Sequence, residues 1–139
     1  MIPHSEFHQL RLVDFVPDVV LLTDWQFMGR TWVGQAVGFT EWLMPEDSPD
    51  TLGSIALDLV ALSPSVSETV LARLGLSMRR GMTASEVGAV LGTCLSTKRF
   101  VEDRLSHDFE VGGGDRYSVN CTIHRDDGLI YVVVMPAAG

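Results

Sequence analysis

Apolar residues recur at two spacings along this chain, and the change from one to the other marks its organisation. In RLSHDFEV, residues 104–111, Leu105, His107, Phe109 and Val111 alternate with Ser106, Asp108 and Glu110. After GGGD at 112–115, Tyr117, Val119, Cys121 and Ile123 alternate with Ser118, Asn120, Thr122 and His124. A period of two predicts two half-buried strands, with GGGD as the turn between them. Asp127-Gly128 is a two-residue hairpin signal, and LIYVVVMP beyond it is β-branched and aromatic, so a three-stranded meander is expected to close the chain. A two-residue turn would set Arg125 opposite Ile130, His124 opposite Tyr131, Thr122 opposite Val133 and Asn120 opposite Met135. One face would then hold Phe109, Tyr117, Val119, Cys121, Ile123, Ile130, Val132 and Val134. The other would hold Asp108, Glu110, Ser118, Asn120, Thr122, His124, Tyr131, Val133 and Met135, and it is the candidate binding surface.

Helical spacing takes over between residues 63 and 93. Ser63-Pro64 supplies an N-cap and a first-turn proline, Ser65 and Glu68 form an overlapping S-x-x-E pattern, and Val66, Val70, Leu71 and Leu74 fall on one stripe before Gly75. That predicts a helix of about three turns. In RGMTASEVGAVLGT, residues 80–93, Thr83 and Glu86 form a capping box, Met82 can staple to Val87, and Gly92 stands where a left-handed C′ residue belongs. Val87, Val90 and Leu91 make a narrow apolar stripe, while Gly88 costs about 1 kcal/mol relative to Ala unless it permits close approach to another element.

Residues 9–43 contain LRLVDF, DVVLLTDW and TWVGQAVGFTEWL, punctuated by Pro17, Gly29, Gly34 and Gly38, which suits short strands joined by turns or bulges. MPEDSPDTLGS, residues 44–54, reads as a loop and SIALDLVALS after it as a strand. The expected fold is α+β: two helices packed on one face of an antiparallel β-meander, with an N-terminal β-rich half extending or flanking the sheet. At 139 residues, one domain is expected, comprising residues 1–62 as the β-rich half and 63–139 as a helix-helix-three-strand half.

A helix, the phrase Gly81-Met82-Thr83 with Glu86, Val87, Leu91 and Gly92, a loop, and a meander closing on a D-G turn together resemble the SmpA/OmlA (BamE)-like and β-lactamase inhibitor protein-like ααβββ domains. The resemblance covers about residues 64–135. Members of that group often carry Pro after the L-G turn, where this chain has Cys94, and its lipoproteins carry a leader and a lipid-bearing Cys that this N-terminus does not show. The resemblance implies a protein-binding platform, including inhibitors that engage an enzyme on a sheet surface.

Composition narrows the function classes. Hydrophobic residues at 46% and charged residues at 20% describe a folding chain. The net charge of −8 would repel a phosphate backbone, so nucleic acid is not an expected partner, whereas a basic protein would find PEDSPD and Asp126-Asp127. MIPHSEFHQLRLVDF lacks a basic n-region with an apolar h-region and no run reaches transmembrane length, so no membrane association and a cytoplasmic location are expected.

Candidate chemistry is sparse. No C-x-x-C or H-x-x-E-H spacing links the four His and two Cys, so a buried His107 and core thiols at Cys94 and Cys121 are expected, with His4 and His8 exposed. Cys121 lies mid-strand and Cys94 follows a helix C-terminus, where the dipole opposes a thiolate. Catalytic residues, metal and cofactor are therefore expected to be none. Trp25, Phe27, Trp32, Phe39 and Trp42 are read as core filling. The alternative is a small-ligand-binding protein or minor enzyme with a pocket lined by those aromatics. In a third arrangement the N-terminal strands cover the proposed face and leave a homodimer edge. The leading expectation is a non-enzymatic protein-protein interaction module of inhibitor or immunity type. It would bind another protein, basic in charge, through Asp108, Glu110, Asn120, Thr122, His124, Tyr131, Val133 and Met135.

Overall fold

The computed structural model of the chain describes residues 1–10, 25–28, 31–34, 41–43, 53–62 and 64–137. In chain order these contain helix α1 (His4–His8), strands β1 (Trp25–Met28), β2 (Thr31–Gly34), β3 (Glu41–Leu43) and β4 (Ser54–Asp58), helices α2 (Pro64–Leu74) and α3 (Ala84–Leu91), then strands β5 (Ser96–Val101), β6 (Arg104–Val111), β7 (Tyr117–His124) and β8 (Gly128–Pro136). The strands expected within residues 11–24, the loop at 44–52, the Ser63 cap and Phe39 lie outside the described residues, as do the side chains of Trp25, Phe27, Trp32 and Trp42.

The architecture is α+β, built on an open antiparallel sheet whose five-stranded body has the order β4-β8-β7-β6-β5. The backbone of β3 pairs antiparallel with β4, and β2 and β1 follow in turn. The closing meander thus has four strands rather than three. Sequence reasoning passed over β5, STKRFV, because its residues between Ser96 and Arg99 are all exposed and polar, so no alternation between core and solvent declares it. Pairing with β6 makes it a strand, with a bulge between Arg99 and Val101.

One apolar cluster holds the molecule together. Val70, Leu71 and Leu74 of α2 and Val87 and Leu91 of α3 are buried in it with Ile55, Leu57, Phe109, Tyr117, Val119, Cys121, Val132 and Val134 of the sheet. The N-terminus joins the same cluster through Phe7 and Leu10. Tyr117 Oη donates to the Ile2 carbonyl at 2.6 Å, and its ring meets Phe7 edge-on at 5.5 Å. His4 and His8 are accordingly half-buried, not exposed: the His4 amide donates to Asp115 and its Nε2–H to the Arg116 carbonyl.

The α3 start forms as its residues dictate. Thr83 Oγ1 accepts from the Glu86 amide at 3.2 Å, and Glu86 accepts from the Thr83 amide at 3.1 Å. Met82 and Val87 are both buried. The other end differs from expectation in three respects. Gly92 has φ 92° and ψ −147°, a glycine-only conformation distinct from the left-handed helical one. Val90 is 38% exposed and leaves the stripe to Val87 and Leu91. A Cβ on Gly88 would meet nothing within 4 Å, so no close approach explains that glycine.

The β7–β8 hairpin also corrects the expected register. Thr122 pairs with Tyr131, Asn120 with Val133 and Ser118 with Met135, while His124 pairs with Gly128 across a turn of Arg125, Asp126 and Asp127. A two-residue type I′ turn needs positive φ at both central residues, and Asp127 does not have it; Gly128 does, at 72°. The result is a three-residue loop followed by a left-handed glycine. The register then shifts between Thr122 and Ile123, which pairs with Leu129. Leu129 therefore takes the core position expected for Ile130. Two backbone bonds fasten that corner to the α2–α3 connection, from Gly81 N–H to Leu129 O at 3.0 Å and from Leu129 N–H to Met82 O at 2.9 Å.

Candidate functional site

Alternation along β6, β7 and β8 sends every second side chain away from the apolar cluster. Asp108, Glu110, Asn120, Thr122, Tyr131, Val133 and Met135 share that face, with His124 at its hairpin end. Because the register differs from expectation by two residues and not one, the membership of the face survives while the neighbours change. β4, β5 and β6 add Asp58, Lys98, Ser106 and Arg104 to it.

The centre of the face is a hydrogen-bonded polar ladder. Asn120 Nδ2 donates to Ser106 Oγ at 2.6 Å and to Asp108 Oδ1 at 2.7 Å, and Ser96 Oγ donates to Asp108 Oδ2 at 2.8 Å. Both carboxylate oxygens of Asp108 thus have donors, which hold its carboxyl below the usual aspartate value, the Asn120 bond first and the Ser96 bond second. Towards the far hairpin, Glu110 accepts from Arg116 Nη1 at 2.9 Å. Beside the ladder β8 contributes a part-apolar strip of Tyr131, Val133 and Met135, the last 42% exposed.

At the other end of β7 the face dips into a hollow of about 470 Å³, whose walls include Asp58, Arg104, Thr122, Asp127, Ile130 and Tyr131. His124 builds its rim. Nδ1 accepts from the amides of Asp126 and Asp127, both at 3.1 Å, and Nε2–H donates to Asp103 Oδ2 at 3.0 Å. A lone pair already receiving two N–H groups carries no proton, so the Asp127 carboxylate 3.5 Å away is not an ion-pair partner in this arrangement. His124 positions the turn, and neither ring nitrogen is left over for a ligand. Asp103 also accepts from Arg104 Nε at 3.1 Å; that bond first, and the His124 bond second, draw its carboxyl below the ordinary range. Asp58 Oδ1 accepts from the amides of Val60 and Ala61. Thr122 is 8% exposed, lines the hollow, and its hydroxyl has no hydrogen-bond partner among the described residues.

On the core-facing side of the sheet, Cys94, Thr97, His107 and Cys121 come together. Cys94 Sγ donates to the Ser96 carbonyl at 3.1 Å and lies 3.8 Å from His107 Nδ1, which is 3.1 Å from Thr97 Oγ1. His107 faces Cys121 directly across the β6–β7 ladder, and its Nε2 is buried without a partner among the described residues. Burial above all, then the neighbouring Cys94 and Asp108, pushes the Cys121 thiol up to about 12, which disfavours the thiolate a nucleophile needs. Among the described residues no group of three or more His, Cys, Asp or Glu is arranged to hold a metal ion, and no helix is long and apolar enough to cross a membrane. A second hollow, of about 380 Å³, opens beside the first turn of α3, between Thr83, Arg99, Glu102, Leu105 and Ile123.

Sequence periodicity found the face but not the hollow, because Asp58 reaches it from β4 and Ile130 through a bulge. Comparison with models of protein families, with curated proteins and with solved structures finds no match to this chain.

Proposed function

We propose that this protein is a non-enzymatic interaction module that binds a basic protein through the sheet face opposite its helices, as an inhibitor or immunity-type protein does. In this reading α2 and α3 back the meander as one layer and the strands between residues 25 and 43 extend it, leaving the far face as the working surface. The observation that carries it is the composition of that face: a hydrogen-bonded ladder of Ser96, Ser106, Asp108 and Asn120 running beside Tyr131, Val133 and Met135. A prearranged polar patch adjoining aromatic and Met side chains is the anatomy of a recognition surface, with the polar groups fixing register and the apolar strip supplying desolvation. The net charge of −8 favours encounter with a positively charged partner.

The test compares capture by the wild type, by a face variant carrying Glu110→Arg and Met135→Asp, and by a control variant, Glu68→Arg, on the exposed side of α2. The reading expects the partner recovered by wild type and control to be lost from the face variant. Equal recovery by all three removes the face from the interaction.

A further inference from the structure

We propose that the hollow at the hairpin end of the open face receives an arginine side chain of the partner protein, an assignment that rests on that face being the interaction surface. Three acceptor groups line it with capacity to spare. Asp58 commits only Oδ1, to its own turn; the Asp127 carboxylate has no hydrogen-bond donor among the described residues; and the Thr122 hydroxyl, on a side chain otherwise buried, is likewise unpartnered. A hydroxyl carried on a side chain more than nine-tenths buried, open to the hollow and without a partner among the described residues, is the reason to look for a ligand there and not merely for an acidic rim.

The charge and shape of the hollow choose that ligand. Arg104 is the cation on its wall, and Arg104 Nε is held by Asp103, itself the acceptor for His124. With Arg104 paired to Asp103, the carboxylates of Asp58 and Asp127 are left on the walls, and the local field favours an incoming cation. A volume of about 470 Å³ is far more than an ammonium head needs, and it lies in the range of formed ligand sites, roughly 300 to 1,000 Å³. The acceptors stand on different elements, the end of β4, the middle of β7 and the β7–β8 turn. A planar fork with five N–H donors can meet several of them at once, which a compact ammonium cannot. Arginine, not lysine, is the side chain this hollow fits.

The experiment is a titration of the isotope-labelled full chain with Nα-acetyl-arginine methylamide, followed by NMR, beside the corresponding lysine and citrulline compounds. The arginine compound is expected to give saturable shifts centred on Thr122, Tyr131 and Asp127. The lysine compound should bind more weakly and the uncharged citrulline compound should give no saturable change. Asp58→Asn keeps the oxygen that caps the Val60 turn and removes the charge; it and Asp127→Asn should each weaken arginine binding about tenfold, and Thr122→Val should weaken it too. Citrulline shifts equal to those of arginine, tighter lysine binding, or arginine shifts centred elsewhere would each overturn the assignment. The two readings fail separately: a partner footprint on the open face with no arginine response in the hollow sinks this inference alone, whereas a footprint on the helix side sinks the interaction surface as well.

Discussion

Two residues carry sharply defined local duties. Thr83 satisfies the Glu86 amide and is answered by the Glu86 carboxylate, so Thr83→Ala should destabilise the fold by about 1 kcal/mol in a denaturant melt, with the far face of the sheet untouched. Gly128 is bound by both conformation and space. Its φ is 72°, and a Cβ there would press into the backbone of Gly81 and Met82. Gly128→Ala therefore combines a left-handed penalty with a clash against backbone that is itself hydrogen-bonded to Leu129, and should cost at least ~2 kcal/mol. A loss within ~0.5 kcal/mol would show that the hairpin corner and the α2–α3 connection are not packed as described.

Among the elements, the meander separates the two thiols by burial. Cys121 lies in mid-β7 with no exposure, while Cys94, in the link from α3 to β5, is half-buried. Titration of the native protein with a thiol reagent should therefore modify Cys94 first and Cys121 only as the chain unfolds; simultaneous reaction would mean that β7 is not interior. What the sequence declared about these elements follows from how local the cause is. The capping box was legible because Thr83 and Glu86 act within one turn, and the faces of β6 and β7 were legible because Phe109, Tyr117, Val119 and Cys121 repeat the period on their own. β5 was not, since an edge strand of polar residues gains its structure from β6. The hairpin register was not either: Asp-Gly suits both a two-residue turn and a three-residue loop followed by Gly128, and the approach of Gly81 and Met82 favours the second. The hollow lay beyond reach for the same reason, its walls coming from β4, β6, β7 and a bulge in β8.

At the scale of the whole molecule, the carboxylates and the buried acids set opposite ends of the stability profile. Asp103, Asp108 and Glu86 are held below their ordinary values of 3.8 and 4.5 by hydrogen bonds made only in the fold. Their contribution is complete above those values and is lost as pH falls through the lowered ones. Tyr117 and Cys121 are both pushed up to about 12, chiefly by burial, from ordinary values of 10.0 and 9.0; the stability they protect is complete below those values and is lost as pH climbs towards 12. Thermal melts should give a plateau between about pH 5 and 9 with a fall on either side, and stability rising below pH 4 would contradict the ladder and the cap together. The central claim of the proposed function is that helices occupy one side of the sheet and recognition the other. Methyl-detected NMR of the chain bound to its captured partner tests that claim most directly, because Val132 and Val134 point into the core while Thr122, Val133 and Met135 point away from it. Perturbation concentrated at Thr122, Val133 and Met135 is the predicted result, and perturbation concentrated at Val66 and Val90 on the helices, with those three unchanged, would contradict it.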